Sequence, residues 1–475
     1  MKLRFFNKKY ILTNKMSKQG LFHFELSERK VLLRFFDLLV IAFCVVGLNY
    51  YFNKTYIHFS SYFPLWLGCY LAYFLFFGTV FELYVLTIAE SRFTTFKNLI
   101  LTLVTTTVLY LLTPYITPEL PSNRIVVLHL FISNAVLLTL WRFSYISFIT
   151  APRFYKRVLI VGDDFVVDDI INDINAYDQN FQVIGFIDTS GNCTSNKNVE
   201  SYAINDLETV IISKNIGEII VADSYKGVSE ELFKVLAPQL KKGIPIKPYS
   251  KVYEEITKKI LLKDISSNFY FYFPFSRSNQ NKLYLSLNRS IDILVSFIGI
   301  LFMLVLVPFI ILINLYLNKG NLFYKQDRVG KFNKAFTIIK FRTMVEEAEK
   351  DGVKWAKKMD LRITPFGKIL RKTRIDELPQ FLNILKGEMS LIGPRPERPE
   401  FIESLKESIP FYETRHIIKP GLTGWAQVNA MYASSIHETY EKLQYDLYYI
   451  KERSLYLDFR IIVKTISTII FFRGH

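Results

Sequence analysis

Arg289-Ser-Ile-Asp-Ile-Leu-Val-Ser-Phe-Ile-Gly-Ile-Leu-Phe-Met-Leu-Val-Leu-Val-Pro-Phe-Ile-Ile-Leu-Ile-Asn-Leu-Tyr-Leu317 is the stretch on which the architecture turns. Its 27 residues from Ile291 to Leu317 are interrupted only by Asp292, Ser296, Gly299, Pro308 and Asn314. About 20 apolar residues suffice to cross a bilayer, so a simple span is the default. The flanks oppose that reading. Arg277, Lys282 and Arg289 lie at or before the start; Lys319, Lys325, Arg328, Lys331, Lys334, Lys340 and Arg342 follow it, against the single acid Asp327. Basic flanks stay on the inner side, so both ends belong on one face. Pro308 removes a backbone donor deep in the run and is expected to break the helix into two arms. A re-entrant element that dips into the membrane and returns satisfies both observations. Arg289 and Asp292, three residues apart at its start, have the spacing of an interfacial pair.

Outward from this stretch, charge and apolarity travel together. The chain has 475 residues, 50% hydrophobic and 16% aromatic, with a net charge of +16. Seventeen Pro, 20 Gly and three Cys exclude disordered, collagenous and disulfide-scaffold classes. Cys44 and Cys69 sit in apolar runs, and Cys193 has no partner spacing for a metal or a redox pair. Residues 1–150 carry a net +8, residues 151–280 a net −2, and residues 281–475 a net +10. The excess sits in the two blocks with long apolar runs, the pattern of a membrane protein with basic inner flanks and not of a nucleic-acid binder. In the first block, residues 31–150 hold four runs of near-spanning length, at about 35–53, 62–81, 98–116 and 125–150. Arg142, near the end of the fourth, is expected to snorkel to the interface. Lys2, Arg4, Lys8, Lys9, Lys15, Lys18, Arg29 and Lys30 make residues 1–30 a basic, cytoplasmic N-terminus. Arg153, Lys156 and Arg157 place the other end of the four-helix unit on the same side, whereas the two loops expected outside hold only Lys54 and Arg124. The polar lead of about thirty residues is too long for a signal-peptide n-region.

Residues 151–280 change texture. Arg157–Gly162, Phe181–Asp188 and Gly217–Ala222 read as buried strands with helical sequence between the first two. That is the pattern of a doubly wound parallel sheet, a Rossmann-like cytoplasmic domain. A dinucleotide site would want Gly-x-Gly-x-x-Gly after the first strand. The segment is Gly162-Asp-Asp-Phe-Val-Val, where only the first Gly survives and Asp163 and Asp164 would repel phosphate. A docking or folding module is the favoured reading and a regulatory nucleotide site the alternative.

The last block is dense in special residues. Ile338–Met344 reads as a strand leading to a helix rich in Glu and Lys. Leu370-Arg-Lys-Thr-Arg-Ile-Asp-Glu-Leu-Pro-Gln380 and Leu391-Ile-Gly-Pro-Arg-Pro-Glu397 follow. Adjacent carboxylates at Asp376 and Glu377, near Arg371, Lys372 and Arg374, suit a divalent metal and a diphosphate: hard oxygens for Mg²⁺, guanidinium forks for phosphate. Alone, such a pair reads more readily as a solvated helix face. The two prolines flanking Arg395 fix its neighbours' φ and hold it in one pose.

Taken together, residues 282–475 closely resemble the bacterial sugar transferases, the polyprenyl-phosphate glycosylphosphotransferases. The blocks are Asn288–Asp292, Phe323–Gly330, Lys340–Met344, Asp376–Gln380, Gly393–Pro399, Lys419–Asn429 and Tyr445–Ile450. The four-helix unit and Rossmann-like domain ahead of them look like the large form of that family. The resemblance implies transfer of a sugar 1-phosphate from a UDP-sugar to undecaprenyl phosphate, with release of UMP. It implies Asp376 as nucleophile through an aspartyl-phosphosugar intermediate, and Glu377 as the residue that holds Mg²⁺. It makes Arg371 and Arg395 phosphate contacts, with Lys340 and Arg342 as further candidates. It also implies a bacterial inner-membrane protein whose catalytic domain, residues 281–475, lies on the cytoplasmic face with its re-entrant helix at 291–317. Contact with membrane lipids, and a homodimer formed through the middle domain, are family-level expectations. Two departures stand out: Val307 precedes Pro308 where the family usually has Ser, and Gly320-Asn321 replaces the usual Gly-Pro.

Trp425 and Gln427 are read as core or nucleotide contacts, His416 and His437 as structural, and Tyr448 and Tyr449 as interfacial or substrate-facing. The final helix, about 455–472, lies on the membrane or packs against the re-entrant arms. The competing functional classes are a transporter or channel gated by a Rossmann-type domain, and a non-catalytic scaffold for glycosyltransferases. The transporter reading leaves the seven ordered blocks unexplained, and a scaffold role is compatible with activity.

Overall fold

The computed structural model describes residues 26–51, 55–85, 92–148, 156–162, 164–177, 181–188, 199–222, 230–262, 279, 281–318, 320–345, 360–430 and 435–470. Most of the basic N-terminus, Arg153, Asp163, Cys193, Arg277 and the Glu- and Lys-rich segment after Met344 lie outside the described residues. The chain divides into two compact units, residues 1–249 and 250–475.

The first unit opens with four apolar helices, α1 (Leu26–Tyr51), α2 (Phe63–Val80), α3 (Arg92–Leu111) and α4 (Ile125–Phe148). Each is long and apolar enough to cross a membrane. Tyr70, Phe74, Leu99, Leu103, Tyr110 and Leu138 pack into one core between them. Arg142 does not snorkel. It is buried, with Nε 3.1 Å from Asp37 Oδ1, Nη2 bonded to Asp37 Oδ2 and Nη1 donating to the Leu83 carbonyl at 3.2 Å. Trp141 Nε1 donates to the same carboxylate at 3.1 Å. An arginine in apolar surroundings is strongly favoured to meet a carboxylate through a two-pronged bond, and Asp37 on α1 is within reach. Asp37→Asn should therefore lower the melting midpoint of the detergent-solubilised protein, by about 2 kcal/mol of stability, because Arg142 stays buried with its counter-charge gone. An unchanged midpoint in thermal unfolding would mean that the pair is not sealed from water.

The rest of this unit is a five-stranded parallel sheet of order β3-β2-β1-β4-β5. Its strands are β1 (Lys156–Gly162), β2 (Phe181–Asp188), β3 (Glu200–Tyr202), β4 (Glu218–Val221) and β5 (Ile246–Pro248). Helices α5 (Asp164–Tyr177), α6 (Leu207–Lys214) and α7 (Glu230–Lys241) connect them; α8 (Tyr249–Thr257), after β5, falls from Ser250 onward in the second unit. The central strands β1 and β4 are apolar and buried, as near-continuous Val/Ile runs require when a sheet is covered on both faces. Gly162 has a packing reason to be glycine: a Cβ there would lie 2.4 Å from that of Ala222, just beyond the end of β4. The one glycine of the dinucleotide fingerprint that survives is thus accounted for by strand packing.

The second unit begins earlier than residue 281. Ile260 and Leu262 lie in its main core with Leu405, Tyr412, Leu443 and Ile461, and Lys259 Nζ reaches Glu441 at 2.6 Å. Residues 250–262 therefore group with the second unit, in whose core Ile260 and Leu262 are buried. Its elements are α9 (Lys282–Leu317), the antiparallel hairpin β6 (Phe323–Val329) and β7 (Ala335–Phe341), α10 (Pro365–Lys372), a 3₁₀ turn at Ile375–Gln380 and α11 (Phe381–Lys386). Next come β8 (Ser390–Ile392), α12 (Pro399–Ser408), a 3₁₀ turn at Tyr412–Ile417, β9 (Gly421–Thr423), α13 (Trp425–Asn429), α14 (Ile436–Glu452) and α15 (Leu455–Ile470).

Helix α9 corrects the expectation of two arms. It runs through Pro308 as one helix of 36 residues, about 54 Å at 1.5 Å per residue. Proline removes one bond of the ladder. Met303 and Ile310, on either side of it, are held in one cluster with Phe341, Phe366 and Leu370. One stripe of the helix, Asp292, Ser296, Met303, Ile310 and Asn314, is buried against the unit. Another stripe, Leu294, Phe297, Leu301, Val305, Phe309 and Leu312, is exposed.

Candidate active site

Asp376 and Glu377 sit in the short 3₁₀ turn between α10 and α11, each 8% exposed. The turn starts at Arg374, which takes a left-handed conformation (φ 60°) and so reverses the chain out of α10. It ends in α11, which Asn383 ties to β7. The Asn383 Nδ2 donates to the Thr337 carbonyl at 2.8 Å and its Oδ1 accepts from Ile339 N at 3.3 Å. Lys340, the residue after Ile339 on β7, is brought beside the dyad by this register.

Glu377 is the electrostatic centre. Arg395 Nη2 donates to its Oε1 at 2.9 Å, Lys340 Nζ lies 3.5 Å from the same oxygen, and Arg374 Nη1 donates to Oε2 at 3.3 Å. Burial opposes ionisation of Glu377, but these three cations outweigh it and hold its carboxyl well below the usual range. Asp376 is pushed the other way: burial, then the charge of Glu377, raises its proton affinity. Burial also pushes the Lys340 ammonium down to about 8, against the pull of Glu377. Two adjacent carboxyls are thus driven apart, one kept ionised and the other poised, as in acid–base and nucleophilic sites. Asp376 Oδ1 is buried with no hydrogen-bond partner, an acceptor left open in the turn.

Arg395 comes from the stiff loop after β8. Strands β8 and β9 pair in parallel, Ser390 with Gly421 and Ile392 with Thr423. Beyond β8 their backbones nearly touch: a Cβ on Gly393 would lie 2.4 Å from the Lys419 carbonyl, and one on Gly421 2.0 Å from Gly393 N. Glycine at both positions is what lets the Gly-Pro-Arg-Pro and Lys-Pro-Gly blocks meet.

The other expected site residues are spoken for differently. Arg371, in the last turn of α10, donates from Nε to Thr343 Oγ1 at 2.9 Å, and its charge acts on Asp376. Arg342 is buried and bonds through Nη2 to the Asn318 carbonyl at the end of α9, which makes it an anchor of that helix. Arg289 and Asp292 make their hydrogen bonds to the catalytic fold and not to each other. Arg289 donates to the Ile384 and Leu385 carbonyls, both at 2.6 Å, and so caps α11. Asp292 Oδ1 accepts from Leu391 N at 2.9 Å and Ser390 Oγ at 3.1 Å. Unsatisfied groups at the end of α11 and the start of β8 compete successfully for these two side chains. The start of α9 therefore grips the loop that follows the dyad. Trp425 is core: it is buried, and its Nε1 donates to the Lys258 carbonyl at 3.1 Å. His416, held to Asn333 through Nδ1 at 2.5 Å, is driven down to about 3 by burial and by Arg415 and Lys406.

The family description "Bacterial sugar transferase" matches residues 283–472. An N-acetylgalactosaminephosphotransferase of Aeromonas hydrophila, named as acting between UDP-N-acetylgalactosamine and undecaprenyl phosphate, is 42% identical over 228 residues, 48% of this chain and 52% of that protein. A UDP-glucose:undecaprenyl-phosphate glucose-1-phosphate transferase of Xanthomonas campestris pv. campestris is 43% identical over 149 residues, 31% of each chain. A putative undecaprenyl-phosphate N-acetylgalactosaminyl 1-phosphate transferase of Bacillus subtilis (strain 168) is 43% identical over 141 residues, 30% of this chain and 79% of that protein. This chain belongs to the bacterial sugar transferases. Its match spans about half of the Aeromonas relative and under a third of the Xanthomonas one.

Within this bacterial sugar transferase, Arg374, noted in the sequence only as a basic neighbour of the dyad, proves to bond Glu377 directly. Its place three residues before Glu377, at a point where the chain must turn, was the available signal. Among the described residues there is no cluster of three or more His, Cys, Asp or Glu side chains. Any metal at the dyad would therefore lean on one or two carboxylates and on substrate oxygens, as Mg²⁺ commonly does.

Proposed function

We propose that this protein transfers a sugar 1-phosphate from a UDP-sugar to undecaprenyl phosphate. The observation that carries the reading is the buried Asp376–Glu377 pair ringed by Lys340, Arg374 and Arg395, with Arg371 acting on Asp376. A carboxylate suffices as nucleophile here, because phosphoryl transfer is catalysed chiefly by positioning and charge neutralisation. An Asp376 oxygen attacks the sugar-bearing phosphorus, the bond from that phosphorus to the bridging oxygen breaks, and UMP leaves with the electron pair. An oxygen of the lipid phosphate then attacks the same phosphorus, and the Asp376 carboxylate is released. Arg395 and Lys340 neutralise the diphosphate, and Arg374 shares the Glu377 charge. The open Asp376 Oδ1 and the Glu377 carboxylate fit Mg²⁺, which when bound would neutralise charge on the substrate's phosphates.

The membrane arrangement follows the same logic. Helix α9 is proposed to bend at Pro308, where its ladder lacks one bond, and so to enter and leave by the cytoplasmic face without crossing. Its support is that Arg289 and Asp292 near one end and Asn318 at the other all bond to the same catalytic unit. A crossing helix would have to hold that unit on both sides of a hydrocarbon layer about 30 Å thick. The exposed apolar stripe of α9, and Leu455, Tyr456 and Phe459 on α15, are then the lipid contacts. A lipid-linked phosphate lies at the membrane surface, so a site carried on such an anchor meets its acceptor there.

Purified protein in detergent with undecaprenyl phosphate and Mg²⁺ is expected to release UMP from at least one of UDP-glucose, UDP-galactose and UDP-N-acetylgalactosamine. A folded protein that releases UMP from none of a broad UDP-sugar panel would sink the reaction.

A further inference from the structure

The Gly393–Glu397 loop presents Arg395 to Glu377, and its backbone is pinned in an unusual way. Pro394 and Pro396 have no N–H, so the loop must be fixed largely through its carbonyls. Four consecutive carbonyls each receive a donor from outside the loop. Pro394 accepts from Gly421 N at 2.9 Å, Arg395 from Arg415 Nη2 at 2.9 Å, Pro396 from Arg328 Nη1 at 3.2 Å, and Glu397 from Val329 N at 2.9 Å. The bond to the Arg395 carbonyl orients the peptide on the C-terminal side of the residue whose side chain touches the dyad.

Its donor is an expensive one. Arg415 is a buried guanidinium on the 3₁₀ turn Tyr412–Ile417, and Asp446 on α14 is buried with it. Nη2 reaches Asp446 Oδ2 at 2.7 Å as well as the Arg395 carbonyl, and Nη1 donates to the Tyr412 hydroxyl at 2.7 Å. A buried ion pair seldom stabilises a fold more than apolar residues of the same volume would, so packing alone does not account for it. What apolar residues cannot supply is a charged donor locked at one point by two further bonds. None of the three bonds goes to Asp376 or Glu377.

We infer that Arg415, braced by Asp446 and Tyr412, is a positioning residue that sets the pose of Arg395 against Glu377 and hence against the substrate diphosphate. This rests on the sugar-phosphate transfer proposed above. Arg415→Lys keeps a positive charge beside Asp446, but its single ammonium on a flexible stem lacks the planar fork that serves three acceptors. Asp446→Asn keeps the shape and loosens the brace.

The test uses the full chain in detergent, with UMP release and thermal unfolding measured on the same preparations. Arg415→Lys and Asp446→Asn are each expected to lower kcat by about 10–100-fold, the scale of a misplacement near 1 Å, with KM for the UDP-sugar changed far less. Arg395→Lys supplies the decisive background. If Arg415 acts through Arg395, adding Arg415→Lys or Asp446→Asn to Arg395→Lys costs less than about threefold more, because coupled residues are not additive. Full multiplication of the losses in the double variants overturns the inference, as does wild-type kcat in Arg415→Lys. Should Arg415→Lys fail to fold, the Asp446→Asn cycle decides by the same criteria. A wild-type chain that releases no UMP overturns the proposed reaction itself, whereas an active wild type with additive cycles overturns the positioning role alone.

Discussion

Asp376→Asn is expected to cut UMP release by about 1,000-fold or more while leaving the protein at least as stable as wild type at neutral pH. The first half follows from chemistry: an amide cannot provide the anionic oxygen that attacks phosphorus, and the other groups of the site only position and neutralise. The second half follows from the direction of the Asp376 shift. Burial and the neighbouring Glu377 charge raise its proton affinity in the folded state. A carboxyl whose folded pKa lies above its unfolded value costs stability in full above the folded value, and that cost fades as the pH falls from the folded value to the unfolded one. Asparagine removes the cost, so the melting temperature of the variant should match or exceed that of wild type near neutrality. The gap should narrow in acid. A second measurement tests the intermediate directly. Wild type incubated with donor sugar and no lipid acceptor should gain the mass of the sugar phosphate on the peptide carrying Asp376, and the variant should not. Turnover above a tenth of wild type in Asp376→Asn would remove it as the nucleophile.

How far the site could be read in advance depended on the range of the interaction. Lys340, Arg371, Asp376, Glu377 and Arg395 lie in short blocks whose residue types point to phosphate chemistry, and Lys340 and Arg395 meet Glu377 in the fold. The same blocks gave no sign of the tie between Arg342 and the Asn318 carbonyl, which spans 24 residues and leaves no local pattern. Arg289 and Asp292 had helical spacing suited to each other, yet their partners lie almost a hundred residues downstream, at Ile384 and Leu391. Spacing along a helix reports which groups share a face and is silent on the stronger acceptors that tertiary packing brings to that face. The Arg142–Asp37 pair is the extreme case, with partners on helices 105 residues apart. Apolar periodicity found both helices but could not align them. Pro308 teaches a related lesson. Its missing N–H is a local fact, but whether the helix ends there was decided by Met303 and Ile310 packing into one cluster. Strands β1, β2 and β4 of the middle domain were legible for the opposite reason: buried parallel strands need apolar runs, which are visible in one dimension, whereas the short, half-exposed β3 and β5 carry no such run.

Glu377→Gln is expected to lower kcat/KM by about 100- to 1,000-fold and, in the activity that remains, to move the acid limb of its pH profile to lower pH. The loss arises because Glu377 is the common anchor of Arg395, Lys340 and Arg374, at 2.9, 3.5 and 3.3 Å. A neutral amide cannot gather three cations. Their mutual repulsion then spreads them, and the pose that would receive the diphosphate is lost. The shift of the limb follows from a separate cause. In wild type, Asp376 must be ionised to attack, so activity falls as the pH drops through its raised pKa. Burial remains in the variant, but the Glu377 charge, the next contributor to that rise, is gone, while Lys340, Arg371 and Arg374 still favour the anion. The proton therefore leaves Asp376 more easily, and the ionised nucleophile persists into more acidic solution. The kcat/KM profile reads the free enzyme and can be followed at saturating Mg²⁺ with undecaprenyl phosphate held constant. A lowered plateau with an unmoved acid limb would assign that limb to another group, and an unchanged plateau would place Glu377 outside turnover. A limb moved upward would mean that Lys340 and Arg374, freed from Glu377, no longer act on Asp376.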